Sequence, residues 1–311
     1  PARSAPSSPL CTRHSPLTCS LLIEGQNVDN TTGTFLTNYV LAGLGWISAL
    51  AAVMNYQYTT TDHRLRHLIL ASGLFLASLA FGAFFEGISQ DHVPDTSDAG
   101  WHFVARMAGM SHSIGAGALL AVAAELFAAN TPAMASALSG SRHDLRMATA
   151  GTPWMAHLHR MAVWGSSAVL AAPGIIATLV YPSPHRAIID VLYICGFVAV
   201  VASVIAKYIL RPAAVALPLA LPHAASSVIF IVASIVHLAL KSKCAKFLAN
   251  RFHGCPLPDD FNHNALTHVL FIVGLVVWST SHIYTWRLTD RFHPLTSDHS
   301  RSLLLQTHSD Q

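Results

Sequence analysis

Apolar residues along this chain are gathered into long continuous runs instead of recurring at the spacing of a soluble core. A helix that crosses a bilayer needs about 20 mostly apolar residues. Seven runs meet this requirement, at roughly 37–55, 67–88, 102–128, 156–181, 187–210, 222–240 and 263–286. The pattern predicts an all-α polytopic membrane protein, folded as a bundle of seven transmembrane helices.

The seven runs divide the chain into three parts. We expect a transmembrane domain over 34–287, preceded by a disordered or processed segment over 1–33 and followed by a polar tail over 288–311. The composition agrees, because 52% of the residues are hydrophobic and only 11% are charged, whereas soluble domains carry about 25% charged residues. No basic stripe interleaved with aromatic residues marks a nucleic-acid partner. The expected partners are membrane lipids and, as a further option, other membrane subunits.

Positively charged residues predict the orientation of the bundle, because cytosolic loops are enriched in Lys and Arg. With a non-cytosolic N-terminus, the cytosolic segments hold Arg64, Arg66, Arg142, Arg146, Lys207, Arg211, Arg287 and Arg291. The opposite loop over 89–100 holds neither Lys nor Arg, but the loop over 241–262 breaks the pattern. We therefore expect a non-cytosolic N-terminus, in an endomembrane or, as the alternative, in the mitochondrial inner membrane.

Two histidines open the last run, in the segment DDFNHNALTH over 259–268. Asp260 or Asn262 can cap this helix. Neutral imidazoles are common metal ligands, so His263 and His268 are candidate ligands. Their spacing of five residues turns them about 140° apart on a regular helix, so His263 joins His268 only if the first turn is distorted. The other interpretation is two interfacial histidines bonded to loop carbonyls.

Polar residues at the end of the second run and the start of the third lie near the same membrane face. Glu86 is a carboxylate within an apolar helix, and such a group is costly unless it is paired, protonated or bound to a cation. Trp101 is typical of an anchor at the membrane interface. Arg106 lies about one turn deeper than His102, and it either pairs with Glu86 or holds an anionic head group.

Several other polar residues have structural interpretations. His112 and His237 are single histidines on apolar helices, and Cys195 lies within an apolar run, so all three are interpreted as core residues. At the opposite face, ionisable residues of the third and fourth runs can satisfy one another. They are Glu125, His157, His159 and Arg160.

The last run, FNHNALTHVLFIVGLVVW over 261–278, resembles the last helix of the CREST superfamily of seven-helix membrane hydrolases. That superfamily includes the alkaline ceramidases and the progestin/adiponectin receptors. The first run, TFLTNYVLAGLGWISAL over 34–50, resembles the first helix of its functionally unassigned members. The resemblance implies a zinc ion held by two histidines of helix seven and one of helix two, assisted by a helix-two serine and an aspartate. The second run departs from this pattern, with Gly82-x-x-x-Glu86 where Ser-x-x-x-His is expected.

The resemblance implies metal-dependent hydrolysis of an amide or ester bond in a lipid as the leading function. In this hypothesis Glu86, His263 and His268 bind the zinc ion, since two histidines and one carboxylate form a known catalytic ligand set. His102 is then the candidate proton shuttle, and Arg106 is the candidate contact to a head group or oxyanion.

Two other classes of function fit the same sequence. One is a non-catalytic seven-helix protein, either lipid-binding and receptor-like or a subunit of a larger membrane complex. The absence of the helix-two serine and histidine favours this class. The other is a haem-carrying bundle with axial histidines such as His112 and His282.

Overall fold

A computed structural model of the protein describes residues 32–58, 63–92, 99–128, 153–180, 186–210, 217–244, 257 and 261–283. These residues form seven α-helices: α1 Thr32–Tyr58, α2 His63–Asp91, α3 Ala99–Ala128, α4 Pro153–Val180, α5 Arg186–Leu210, α6 Leu217–Cys244 and α7 His263–Ile283. Each helix is long and apolar enough to cross a membrane. The predicted all-α seven-helix bundle is confirmed, and the protein is an integral membrane protein.

The predicted runs and the observed helices differ mainly at the helix ends. α1 begins at Thr32 and α2 at His63, before the first apolar residues of the corresponding runs. A helix needs apolar residues only where it crosses the hydrocarbon core, and polar residues can continue it into the head-group region. The predicted terminal segments lie outside the described residues, apart from Thr32 and Gly33, which belong to α1.

α3 is the central helix of the bundle and contacts α2, α4 and α5. Small residues form much of its buried surface, among them Ala108, Gly109, Gly115, Ala116, Gly117 and Ala118. A Cβ atom at Gly117 would lie 2.5 Å from the backbone oxygen of Ser167 on α4, so a side chain there would push the two helices apart. Small residues of this kind let helix backbones pack closely in lipid, where the hydrophobic effect does not drive helices together.

α7 runs parallel to α1 and makes polar contacts with it at several levels. Nδ1 of His268 lies 3.1 Å from the hydroxyl of Thr37, and the hydroxyls of Ser48 and Ser279 are 2.7 Å apart. Thr37 and Ser48 are separated by about three helical turns on α1, as His268 and Ser279 are on α7. The contacts therefore repeat along one stripe of each helix and hold the pair in register.

An aromatic layer fills the middle of the bundle and consists of Phe75, Phe197, Phe230 and Trp278. Phe75 of α2 is its centre, with ring centroids 4.8 Å from Trp278, 5.9 Å from Phe197 and 6.1 Å from Phe230. All four side chains are buried. The layer joins α2, α5, α6 and α7 and separates the polar groups at the two ends of the bundle.

The outer surface of the bundle exposes large apolar side chains. Val169 on α4, Ile209 on α5 and Ile47 on α1 are each more than 60% exposed. Soluble monomers rarely present such continuous apolar surface, whereas a bilayer solvates it. Cys195 also lies on this surface, so its interpretation as a core residue was wrong. An apolar side chain of a transmembrane helix can face either lipid or protein.

Candidate functional site

A cavity of about 150 Å³ lies at the end of the bundle where α1, α3, α5 and α7 begin, and residues from all seven helices line it. Its walls are apolar at Leu41, Leu79 and Phe271. Its charged and histidine residues are Glu86, Arg106, His112, Asp190, His237 and His268. Reversal of chain direction between successive helices thus brings together side chains that are far apart in the sequence.

Three of the predicted site residues line this cavity and two do not. Glu86 on α2, Arg106 on α3 and His268 on α7 belong to the lining, whereas His102 and His263 do not. The ring of His102 packs against the neighbouring Trp101, with ring centroids 5.3 Å apart. The predicted convergence of α2, α3 and α7 at one face is therefore present, with a different set of side chains facing the cavity.

The carboxylate of Glu86 lies against a histidine of α3. Its Oε1 atom is 3.5 Å from Nε2 of His112. A Cβ atom at Gly82 would overlap the His112 ring, so the imidazole occupies the space beside α2 that glycine leaves open. The position at which the resemblance expects a serine thus accommodates an imidazole from the neighbouring helix. His112 faces the cavity, and its interpretation as a satisfied core residue misses this contact.

The same imidazole also contacts a buried tyrosine of α5. Nδ1 of His112 lies 3.3 Å from the hydroxyl of Tyr193, which also lines the cavity. A Cβ atom at Gly115 would lie 2.5 Å from that hydroxyl, so glycine makes room for it as well. A carboxylate, an imidazole and a phenol therefore form a continuous polar chain across three helices. Nothing in the local sequence distinguishes Tyr193 from any other tyrosine in an apolar run.

Two side chains of α3 line the cavity with hydrogen-bond donors that have no acceptor. Nε of Arg106 and Nε1 of Trp101 are buried, and neither has a hydrogen-bond partner among the described residues. Within the described part of the chain, Arg106 makes no ion pair, and Glu86 contacts His112 instead. Trp101 is only 6% exposed and belongs to the cavity wall, so its interpretation as an interface anchor was wrong.

Asn262, which is one of the two residues predicted to cap α7, forms the cap at the start of this helix. Its Oδ1 atom accepts the backbone N–H groups of Asn264 and Ala265, each at 3.0 Å. The same oxygen accepts the hydroxyl of Thr34 on α1 at 2.8 Å. The cap thus satisfies donors at the first turn of α7 and ties that turn to the first turn of α1.

The two histidines of α7 point toward different neighbours, as their spacing of five residues predicts. His268 faces α1, where its Nδ1 atom lies 3.1 Å from the hydroxyl of Thr37. His263 is 2% exposed, and its ring packs on that of His237 from α6, with centroids 4.9 Å apart. His237 lines the cavity, so it too differs from the core residue that the sequence indicates.

The predicted zinc ligands face three different neighbours. In the described part of the chain, no group of three or more His, Cys, Asp or Glu side chains is arranged to hold a metal ion. Glu86 contacts His112, His268 contacts Thr37, and His263 packs on another ring. In this arrangement the three side chains do not share a zinc shell, and the zinc assignment to Glu86, His263 and His268 stays a prediction.

A second polar cluster, the lower network, adjoins the aromatic layer at Trp278 on the side away from the cavity, and it consists of Asn55, Ser72, Trp278 and His282. The indole N–H of Trp278 donates to the Ser72 hydroxyl at 2.6 Å, and that hydroxyl lies 3.1 Å from Nε2 of His282. The amide of Asn55 donates to the backbone oxygen of His282 at 2.8 Å. All four side chains are buried. The lower network joins α1, α2 and α7 away from the cavity.

The positions of two histidines bear on the haem alternative. His112 packs beside Gly82, and His282 is bonded to Ser72. Gly82 and Ser72 are ten residues apart on α2, which corresponds to about 15 Å along the helix axis. His112 and His282 therefore do not flank a common iron position, and haem ligation by this pair is excluded by the arrangement.

Two of the four ionisable residues that the sequence assigns to the opposite face, Glu125 and His159, are in contact. Nε2 of His159 on α4 lies 3.6 Å from Oε1 of Glu125 on α3. Glu125 is 1% exposed, so its carboxylate lies within the interface between the two helices. This contact agrees with a structural role for the pair, at the end of the bundle opposite the cavity.

Comparisons of the chain with protein-family models, curated proteins and solved structures match none of them. The resemblance to the CREST superfamily therefore stays a prediction that rests on the two short segments of α1 and α7.

Proposed function

We propose that this protein binds a lipid-like amphiphile, with the polar group of the ligand in the cavity at the end of the bundle. The observation that carries the proposal is the cavity lining: seven helices bring hydrogen-bonding and charged groups together with apolar walls inside a membrane protein. Ligand sites usually combine largely apolar walls with a few placed polar groups. Ionisable residues within a membrane mark a functional site by default.

The size of the cavity indicates which part of an amphiphile it takes. A volume of about 150 Å³ is comparable with an engineered protein cavity that binds benzene. It suits a head group and the first few carbon atoms, and a long acyl chain would have to lie along the apolar outer surface or between helices. The ligand that fits best is therefore one whose polar end enters the protein while its chain remains in the membrane.

The test compares a variant that fills the cavity with one that adds the same atoms elsewhere. Ala83 is 1% exposed and lines the cavity, whereas Ala168 on α4 is exposed to lipid. Both are changed to leucine, and the purified proteins are analysed by native mass spectrometry and lipid extraction. We expect wild type and Ala168→Leu to retain a stoichiometric amphiphile and Ala83→Leu to lose it. Equal retention by all three proteins would contradict the proposal.

A second candidate is the metal-dependent hydrolysis of an amide or ester bond in such a lipid. It is favoured by one observation, that Glu86 and His268 line the same cavity. This candidate keeps the residues that the sequence predicts, with Glu86, His263 and His268 as zinc ligands and His102 and Arg106 as catalytic residues. It requires the rings of His263 and His102 to turn from His237 and Trp101 toward the cavity. Metal content is measured on detergent-purified wild type and on His268→Ala. Stoichiometric zinc that is lost in the variant would support the candidate, and a metal-free wild type at neutral pH would remove it.

We further propose that the N-terminus, and with it the cavity, faces the non-cytosolic side of an endomembrane. The distribution of Lys and Arg among the loops supports this orientation. An amphiphile would then reach the cavity from the lumenal or external leaflet.

A further inference from the structure

We infer that the ligand of this cavity is an anionic amphiphile whose negatively charged group is bound by Arg106 and Trp101. The inference rests on the proposed function and adds the chemical class of the ligand. A sulfonate, phosphate or carboxylate group shares the required chemistry, which is one negative charge and several acceptor oxygen atoms. The source of that group is either a lipid head group or a small free anion, and the experiment below separates the two.

The first supporting observation is that the two residues carry only donors. An indole has a single N–H donor, and a guanidinium has five N–H donors and no acceptor, so neither residue can satisfy the other. Nε1 of Trp101 and Nε of Arg106 are both buried and have no hydrogen-bond partner in the described residues. A buried donor without an acceptor destabilises the protein, because it has lost its hydrogen bonds to water and gained none in return. A ligand with acceptor oxygens supplies what both side chains lack.

The second observation concerns the charge of Arg106. An arginine within a transmembrane helix normally pairs with an acidic residue or lies in a polar cavity. The nearest predicted partner, Glu86, contacts His112 at 3.5 Å, and no ion pair of Arg106 occurs within the described ranges. A planar guanidinium matches the oxygen atoms of sulfonate, phosphate or carboxylate with two parallel hydrogen bonds. The unpaired charge thus favours an anion over a neutral ligand.

A third donor is oriented by its neighbour. The side-chain amide of Asn38 donates to Oε1 of Gln90 at 2.9 Å, which leaves the NH2 group of Gln90 as the donor on its other side. Gln90 is 2% exposed and lines the cavity. Together with Trp101 and Arg106, it gives the cavity donors from both α2 and α3. Donors from two helices that line one cavity are suited to an oxyanion.

The two acidic residues that line the cavity would favour a cationic ligand instead of an anionic one. Glu86 and Asp190 line the same cavity as Arg106, and a cationic ligand would use them instead. The experiment therefore compares probes that share a dodecyl chain and carry a negative, a neutral or a positive head group. The full-length protein is placed in phosphatidylcholine nanodiscs, and binding is measured calorimetrically for dodecanesulfonate, dodecanol and dodecyltrimethylammonium. A sulfonate stays ionised at every pH used, so its own titration does not enter the result.

The variants isolate each proposed contact. Arg106→Gln removes the charge, Arg106→Lys keeps it, and Trp101→Phe removes the indole N–H while retaining an aromatic ring. Arg66→Gln is the matched control, because Arg66 lies over the Tyr56 ring, 4.5 Å from its centroid, and does not line the cavity. We expect dodecanesulfonate to bind at least tenfold more tightly than the other probes. Arg106→Gln should weaken it roughly tenfold to a hundredfold, and Trp101→Phe roughly tenfold.

The remaining outcomes are distinct. Retention of part of the affinity by Arg106→Lys and all of it by Arg66→Gln supports the site and shows that the variants fold. Equal binding of all three alkyl probes, or preference for the cation, overturns the inference and leaves the proposed function standing. Methanesulfonate, measured in the same way, carries the charged group without the alkyl chain. If it binds as tightly as dodecanesulfonate, the cavity is a site for a small anion, and the inference that the ligand is an amphiphile is overturned. Absence of specific binding by every alkyl probe overturns the proposed function itself.

Discussion

Replacement of Gly82 by alanine tests whether the contact between α2 and His112 organises the cavity. The added methyl group would overlap the imidazole ring, because a Cβ atom at this position falls within the ring volume. The imidazole must then move away from α2. It would lose its contact with Glu86 and its 3.3 Å approach to the Tyr193 hydroxyl.

The expected cost has two contributions. Overpacking of a well-filled interior costs about 1–3 kcal/mol, and the loss of one buried hydrogen bond costs about 1 kcal/mol. We therefore expect Gly82→Ala to lower the free energy of unfolding by about 2–4 kcal/mol. In a His112→Ala background the ring is absent, so the same methyl group should cost little. The double-mutant cycle should therefore give a coupling energy close to the full cost, about 2–4 kcal/mol, between the two positions.

The measurement is equilibrium unfolding in mixed micelles, with tryptophan fluorescence as the signal. Gly165→Ala is the control, since nothing lies within 4 Å of a Cβ atom at that position on α4. We expect its free energy of unfolding to change by no more than about 1 kcal/mol, in the stabilising direction set by helix propensity. If Gly82→Ala is as costly in the His112→Ala background as in wild type, the steric argument is refuted.

Two further predictions follow from other parts of the bundle. Ser72→Ala should destabilise the protein by roughly 1–3 kcal/mol, because it leaves an indole N–H and an imidazole of the lower network without their partner. Ser234→Ala should change stability by less than about 0.5 kcal/mol, since Ser234 bonds the Phe230 carbonyl of its own helix and no other group among the described residues. If Ser72→Ala and Ser234→Ala lower the free energy of unfolding equally in the same assay, this reasoning is contradicted. For orientation, His92→Cys in a cysteine-free background should react with a membrane-impermeant maleimide from the non-cytosolic side, and Leu210→Cys only after permeabilisation. Both side chains are about two-thirds exposed, near opposite ends of the bundle, and the reverse labelling pattern would place the N-terminus in the cytosol.

The sequence by itself determines the seven helices and their order. In a bilayer every backbone polar group of a spanning segment must be satisfied within the segment, so a run of about 20 apolar residues can only be a helix. The cap at Asn262 is equally local, because a short polar side chain before an apolar run satisfies the first free N–H groups of the helix. Alternation of helix direction then predicts that Glu86, Arg106 and His268 lie at one face, and all three line the cavity.

Only the tertiary structure decides which side of each helix faces the interior. A soluble helix carries this information as an apolar stripe, but helices that are apolar on every side do not, and packing against neighbours sets their rotation. Cys195 faces outward and Trp101 inward for this reason, against the sequence interpretation of each. The pairing of Glu86 with His112 depends in turn on the space beside Gly82. Because that pairing leaves Arg106 without an acidic partner among the described residues, the chemistry of the cavity follows from helix packing.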